Sequence, residues 1–195
     1  MNSASLSKTR NLSAQSVLID SLLIAGFAVV TALASKIHIF LPFTPIPITF
    51  QTLPVILSGA FLGARRGILS QLLLIAFGCC GFSVFARSGP GYLSLIGPTA
   101  GYIYGFVLSS FISGLIFEKQ KPRQFWILLF YFTVSSLVIF VPGLLWLKLY
   151  AHISWRIALV QGLYPFLIGD FLKIILATSA FSSWQKMRTD EPRHS

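Results

Sequence analysis

Long apolar runs alternate with short polar segments along the chain, and this pattern predicts a bundle of membrane-spanning helices. Six runs are each about as long as a helix needs to be to cross the hydrocarbon core of a bilayer. They cover residues 17–34, 46–62, 67–84, 95–117, 125–147 and 157–181. We therefore predict an all-α integral membrane protein, with a membrane domain at 17–184 between a polar tail at 1–16 and a basic tail at 185–195.

The second apolar run has polar and helix-breaking residues near its start. Pro47, Gln51 and Pro54 all lie in its first half. Irregular backbone is tolerated at membrane depth only where protein or a water-filled cavity covers it. We expect this half of the run to face the protein interior.

The distribution of basic residues predicts the orientation of the six spans. Ten Lys and Arg residues flank the spans on one side, and four flank them on the other. Because basic residues concentrate on the cytoplasmic side, we expect both termini in the cytoplasm. The larger group of basic residues is Lys8, Arg10, Arg65, Arg66, Lys119, Lys121, Arg123, Lys186, Arg188 and Arg193, and the smaller is Lys36, Arg87, Lys148 and Arg156.

The first run also fits a cleaved signal peptide, since Lys8 and Arg10 precede it and Ala32-Leu33-Ala34 resembles a cleavage site. Cleavage would leave five spans.

Composition supports the membrane class and excludes others. The chain is 55% hydrophobic and only 10% charged, with a mean hydropathy of +0.78, whereas soluble domains carry about 25% charged residues. The net charge of +10 does not indicate nucleic acid, because the basic residues are scattered between apolar runs and form no basic face. No P-loop pattern is present, so ATP hydrolysis would need a separate subunit.

Cysteine and histidine give no metal signature. Cys79 and Cys80 are adjacent, which disfavours a disulfide and lacks metal-ligand spacing. His38, His152 and His194 have no partner at ligand spacing either. We predict neither a metal nor a cofactor.

One acid lies deep inside an apolar run. Asp170 is followed three residues later by Lys173, and this spacing places both side chains on one helix face. Each costs about 2.5–3.5 kcal/mol at mid-membrane, so the pair needs an interior or ligand-lined position. A structural ion pair and a polar floor for a bound solute are both consistent with the spacing.

The segment between the third and fourth runs is rich in glycine and proline. An ordinary turn would explain it, and so would a lid that brings backbone amides and Arg87 over a cavity. Elsewhere, Ala28 and Ala32 form a small-xxx-small face on the first span, which would let another helix pack closely.

Three segments carry ordered motifs. They are PIPITFQTLPVILSGAFLGARRG at 45–67, GFSVFARSGPGYLSLIGPTAGYIYGF at 81–106 and YPFLIGDFLK at 164–173. Together they resemble the BioY family, the substrate-capturing S-components of bacterial energy-coupling-factor (ECF) biotin transporters. The last segment is similar to the family's Pro-Phe-x-x-Gly-Asp-x-x-Lys signature. The chain departs from the family at Ser83, where Pro is usual, and at Arg87, where Gly or Asn is usual.

The resemblance implies a six-helix S-component bundle in the bacterial cytoplasmic membrane that captures biotin with high affinity and is not an enzyme. It implies as partners an ECF transmembrane coupling subunit and two ATPase subunits. The family's docking face maps onto Ala28 and Ala32, and its head-group ligands map onto Asp170 and Lys173. We expect the full set of biotin contacts to be Asp170, Lys173, Arg87, Ser88, Gly89, Tyr92, Tyr102, Tyr164 and Gln51.

The chemistry of biotin agrees with these residues. Its ureido group needs an acceptor and a donor, its ring and chain suit apolar walls, and its carboxylate suits a basic outer loop. In the expected mechanism biotin enters from outside, loops 36–44 and 87–91 close over it, and the loaded protein then reorients with its coupling partner. The alternatives are a solitary biotin transporter, an S-component for another small vitamin, a membrane-embedded enzyme acting on a lipid, and a structural membrane subunit.

Overall fold

The structure, a computed structural model, describes residues 14–190, with side chains described as far as residue 188. Most of the expected N-terminal tail and the flanking Lys8, Arg10 and Arg193 lie outside the described residues. The described chain is helical apart from one short β pair. Its elements are α1 (Ala14–Ala34), β1 (His38–Ile39), β2 (Ile48–Thr49), α2 (Thr52–Leu62), α3 (Ala64–Cys79), α4 (Tyr92–Ile96), α5 (Ala100–Gln120), α6 (Phe125–Ala151), α7 (Trp155–Gly162) and α8 (Tyr164–Asp190).

Four of the described helices are long and apolar enough to cross a membrane: α1, α5, α6 and α8. The chain is therefore a multi-pass membrane protein. The two remaining predicted spans correspond to α2, with 11 residues, and α3, with 16 residues. At about 1.5 Å per residue these helices are shorter than the hydrocarbon core.

Contacts near the turn between α2 and α3 fix its level in the bundle. Arg66 at the start of α3 forms a 3.0 Å ion pair with Asp20 in the first two turns of α1. The backbone N–H of Ala64 donates to the carboxylate of Glu118, near the end of α5, at 3.1 Å. The start of α1, the turn between α2 and α3, and the end of α5 therefore lie at the same end of the bundle.

The run at 46–62 is helical only from Thr52. Before it, Ile48 and Thr49 are extended and pair antiparallel with Ile39 and His38. Pro47 lacks a backbone N–H and favours extended backbone before it, which explains why this stretch forms a hairpin strand rather than the first turn of a helix.

The fourth and sixth predicted runs are also divided. The short α4 precedes α5, with Gly97, Pro98 and Thr99 between them. Leu163 separates α7 from α8, and Pro165 is the second residue of α8. Proline is well suited to the first turn of a helix, where its missing N–H has no partner to lose.

Helices α2, α3 and α5 pack in backbone contact. A Cβ at Gly59 would overlap the carbonyl oxygen of Ser110, and one at Gly114 would overlap the backbone of Ala64. A Cβ at Gly67 would lie 3.0 Å from Cα of Gly59. Small residues permit such approach in membranes, where packing and interhelical hydrogen bonds drive association.

Hydroxyl groups line the same interface. Ser58 and Ser110 are fully buried, and their oxygens lie 2.9 Å apart. The amide of Gln71, also fully buried, donates to Ser58 at 3.1 Å. The hydroxyl of Ser113 donates to the carbonyl of Ile56 at 2.7 Å. These bonds join the three helices into one packed unit.

Candidate ligand-binding site

A cavity lies between the loop that connects α1 to α2, the loop that connects α3 to α4, and helices α2, α5, α6 and α8. It holds about 590 Å³ of empty space, including the space at its open mouth. Its lining is Ile46, Pro47, Thr49, Gln51, Thr52, Phe85, Ala86, Arg87, Ser94, Thr99, Tyr102, Ile103, Phe106, Ile139, Phe140, Phe166, Asp170 and Lys173.

The buried ion pair lines this cavity. Lys173 Nζ lies 2.7 Å from Asp170 Oδ1, and each side chain is only 6% exposed. The hydroxyl of Thr52 accepts from Lys173 at 3.1 Å and donates to Asp170 Oδ1 at 3.2 Å. The hydroxyl of Ser136 on α6 donates to Asp170 Oδ2 at 3.1 Å. Residues from three helices therefore hold the two charges.

Helical spacing explains why α8 supplies the pair. Phe166, Asp170 and Lys173 follow the i, i+4, i+7 spacing of one helix face, and all three line the cavity. Tyr164 lies six residues before Asp170, about 240° away around the helix. Its side chain is 55% exposed and points away from the cavity lining.

The polar groups have hydrogen-bonding capacity to spare. An ammonium group has three N–H donors, and Lys173 uses two of them within the described residues. The side-chain amide nitrogen of Gln51 has no hydrogen-bond partner there, although Gln51 is only 3% exposed. A carboxylate offers about four acceptor positions, and Asp170 uses three. The site can therefore bind a ligand that carries both an acceptor and a donor.

Aromatic and aliphatic side chains form the remaining walls. The ring of Tyr102 stacks on Phe166 at 6.3 Å and meets Phe140 edge-on at 6.1 Å. The Tyr102 hydroxyl donates to the carbonyl of Gly162 at 2.8 Å, which fixes the ring. These walls suit an apolar ring or chain, with the polar groups gathered at the ion pair.

Arg87 borders the cavity from the loop between α3 and α4. Its side chain is exposed, and it makes no hydrogen bond or ion pair with the described residues. A free guanidinium in this position can bind a carboxylate in a bidentate manner.

The structure brings together five of the nine predicted contact residues. Asp170, Lys173, Gln51, Tyr102 and Arg87 line one cavity. The other four are exposed and do not line it: Ser88, Gly89, Tyr92 and Tyr164. Tyr92 is 47% exposed at the start of α4.

The proposed docking face on α1 is largely covered by the protein itself. Ala28 is fully buried in the main apolar core, and Ala32 is partly buried against it. In this conformation Ala28 offers no free surface to another helix and Ala32 offers only part of its surface, so the docking role stays a prediction.

Sequence reasoning missed several residues of the site. Thr52 and Ser136 bind the ion pair directly, and Phe85 and Phe166 form walls. The i−4 spacing from Asp170 was a usable signal for Phe166. Hydroxyl residues are common in membrane helices, and nothing in the sequence distinguishes Ser136 from its neighbour Ser135.

Within residues 14–188, no group of three or more His, Cys, Asp or Glu side chains could hold a metal ion.

Comparison with a solved structure defines the class of protein. The crystal structure of the S-component for biotin from an ECF-type ABC transporter superposes with a TM-score of 0.82, covering 89% of this chain and 94% of that chain at 22% identity. The fold is therefore that of an S-component. Together with the four long apolar helices, the superposition places the chain among membrane proteins of this fold.

Sequence comparison identifies the family. The BioY family profile matches residues 4–190. The probable biotin transporter BioY of Pyrococcus horikoshii is 34% identical over 80% of this chain and 89% of the relative. The biotin transporter BioY of Thermotoga maritima is 34% identical over 71% and 80%, and biotin transporter BioY2 of Lactococcus lactis is 36% identical over 80% and 84%. The chain belongs to the BioY family.

Proposed function

We propose that this protein captures biotin at the outer side of the cytoplasmic membrane as the substrate-binding S-component of an ECF-type transporter. The observation that carries the proposal is the cavity in which a buried ion pair, an unpartnered amide and aromatic walls converge. Its relatives are biotin transporters by name. Catalysis of ATP hydrolysis would belong to partner subunits.

The ureido head of biotin is complementary to the ion-pair end of the cavity. Its carbonyl oxygen can accept from the free N–H of Lys173 and from the amide of Gln51. Its N–H group can donate to the remaining acceptor position of Asp170. Analogues without this group would leave buried polar groups unpaired, and this cost provides discrimination.

The rest of the molecule fits the remainder of the cavity. The thiophane ring and valeryl chain would lie against Tyr102, Phe140 and Phe166. The carboxylate would lie at the open mouth, near the guanidinium of Arg87, which is unpaired within the described residues.

Labelled-biotin titration of the detergent-purified protein tests this assignment. We expect saturable binding that dethiobiotin competes for, because it retains the ureido group, and that unrelated vitamins do not affect. Asp170→Asn and Lys173→Met each remove a charged hydrogen-bonding partner and should weaken affinity by about 10–150-fold. Gln51→Leu removes a neutral donor and should weaken it by about 2–10-fold.

Lys148→Met is the matched control, since the Lys148 ammonium lies over the Trp155 ring and outside the cavity lining. It should keep wild-type affinity. Wild-type affinity in both Asp170→Asn and Lys173→Met would contradict the site. Tight binding of a different vitamin, with none of biotin, would favour the alternative S-component.

The topology that we propose has six crossings and both termini in the cytoplasm. What supports it is the ten-to-four distribution of basic residues and the level of the turn between α2 and α3. That turn contacts the beginning of α1 and the end of α5, which is the arrangement expected if α2 and α3 form one pair of crossings.

The proposed partners are an ECF transmembrane coupling subunit and two ATPase subunits. Family membership supports them, and the chain has no P-loop of its own. A solitary transporter is the alternative, and uptake in cells that lack every coupling subunit separates the two.

A further inference from the structure

Two outer loops border the mouth of the cavity, and a single side chain joins them. One loop connects α1 to α2 and the other connects α3 to α4. The side chain is that of Lys36, two residues after the end of α1. The first loop contributes Ile46, Pro47 and Thr49 to the cavity lining, and the second contributes Phe85, Ala86 and Arg87.

The Lys36 ammonium is saturated by acceptors of the second loop. Its Nζ donates to the carbonyl of Ser83 at 2.6 Å and to the carbonyl of Phe85 at 3.1 Å. It also lies 3.2 Å from the Ser83 hydroxyl oxygen. An ammonium has three N–H donors, so all are used. Within the part of the chain that the structure describes, every hydrogen bond between the two loops comes from this group.

The Lys36 hydrogen bonds hold the segment that carries Phe85, and this segment also packs against α3. The ring of Phe85 packs so closely on Gly78 that a Cβ there would lie 2.5 Å from the ring. Phe85 is 3% exposed and lines the cavity. Its ring is thus held by α3 and its carbonyl by Lys36. Arg87 follows two residues later, so its position depends on this anchorage.

The first loop is held together near Lys36 by backbone hydrogen bonds of its own. The backbone N–H of Phe50 donates to the carbonyl of Ile37 at 3.0 Å, and β1 pairs with β2 directly before α2. If the second loop moves, the first loop therefore cannot easily move with it. The Lys36 bonds must break before the two sides of the mouth separate.

From this geometry we infer that Lys36 is a positioning residue, a latch that holds the two loops together over the bound ligand and limits its escape. The inference rests on the proposed function, because it concerns the same cavity. The ammonium does not touch the ligand in this assignment, and acts through Phe85 and the loop that carries Arg87.

Dissociation kinetics of labelled biotin from the purified full chain test the latch. Lys36→Met should raise the dissociation rate constant about tenfold, the effect of losing hydrogen bonds from a charged donor at an accessible site. The association rate constant should change less than threefold, because the latch acts on the closed mouth. Lys36→Arg retains N–H donors and should restore slow dissociation at least in part. Lys148→Met removes an outer lysine that does not join the loops and should match the wild type.

A second measurement does not depend on biotin. Spin labels at Ile39→Cys and Ser88→Cys, in a Cys79→Ser and Cys80→Ser background, report the distance between the two loops. Without ligand, adding Lys36→Met should broaden this distance distribution, whereas adding Lys148→Met should leave it unchanged.

The outcomes separate the latch from the proposed function. If the wild type binds no biotin, the proposed function fails, and the spin-label distances still decide whether Lys36 joins the loops. If the wild type binds biotin but Lys36→Met matches Lys148→Met in dissociation rate and in loop distance, the latch is overturned and the proposed function stands. Dissociation from Lys36→Arg as fast as from Lys36→Met, with the variant well folded, would also count against the latch.

Discussion

At the scale of single residues, the ion pair is the costliest feature of the molecule to bury. A buried ion pair often loses more hydration energy than its attraction returns, unless further hydrogen bonds satisfy both partners. Here Thr52 binds both charges and Ser136 binds the second carboxylate oxygen. The arrangement is consistent with a site kept for binding rather than for stability.

Removing one of the two charges should therefore lower the free energy of unfolding more than removing both. We expect Asp170→Asn or Lys173→Met alone to destabilise the protein by about 3–5 kcal/mol, because each leaves its partner buried and uncompensated. The double variant should regain most of that stability while still binding biotin weakly. Thermal unfolding in detergent, followed through tryptophan fluorescence, measures the difference. A double variant no more stable than either single one would show that the two charges are not coupled.

The sequence pointed to the charged residues of the site but not to their neutral partners. Asp170 and Lys173 could be predicted because charges inside an apolar run are rare and expensive. Thr52 and Ser136 could not, because a hydroxyl can bond its own helix at little cost and therefore carries no signal of a tertiary role. Whether Tyr92 faced the cavity depended on the start and rotation of α4, which the apolar pattern does not define.

At the scale of elements, three helices depend on glycine for their contact. Gly59, Gly67 and Gly114 let α2, α3 and α5 meet backbone to backbone. The interior hydroxyls of this interface bond across helices as well as to their own carbonyls. A methyl group at Gly59 or Gly114 would meet backbone atoms first, and these cannot move aside like the end of a flexible side chain.

Gly59→Ala should lower stability by about 1–3 kcal/mol, the usual cost of overpacking, because its Cβ would overlap the Ser110 carbonyl. Gly26→Ala on α1 is the matched control, since a Cβ there meets nothing within 4 Å. It should be neutral or slightly stabilising. Thermal unfolding and monodispersity in detergent give the comparison, and equal stability of the two variants would contradict the packing argument.

The element boundaries were only partly predictable. Pro47 and Pro54 indicated an irregular start to the second run, and that stretch is extended up to Thr49. Pro165, however, is equally compatible with a kink inside a helix and with the first turn of a new helix. The division between α7 and α8 at Leu163 depends on tertiary contacts, such as the Tyr102 bond to Gly162, that no local pattern contains.

At the scale of the whole molecule, the long helices alone would allow four crossings, whereas we propose six. Arg65 in the turn between α2 and α3 separates these arrangements, because six crossings place it in the cytoplasm. In a background without Cys79 and Cys80, a cysteine at Arg65 or Lys121 should react with an impermeant maleimide only after cells are permeabilised. A cysteine at Ser154 should react in intact cells. Labelling of the Arg65 position in intact cells would exclude the six-crossing topology.

The closeness of Asp170 and Lys173 on α8 also bears on the energetics of transport. Moving one elementary charge across 100 mV changes its free energy by about 2.3 kcal/mol. Because the two side chains carry opposite charges and move with the same helix, their combined displacement through the membrane potential costs almost nothing. The ion pair therefore adds almost no voltage dependence to the reorientation expected during transport. Any voltage dependence of uptake would then have to come from other charges, such as those of Arg87 and the carboxylate of the ligand.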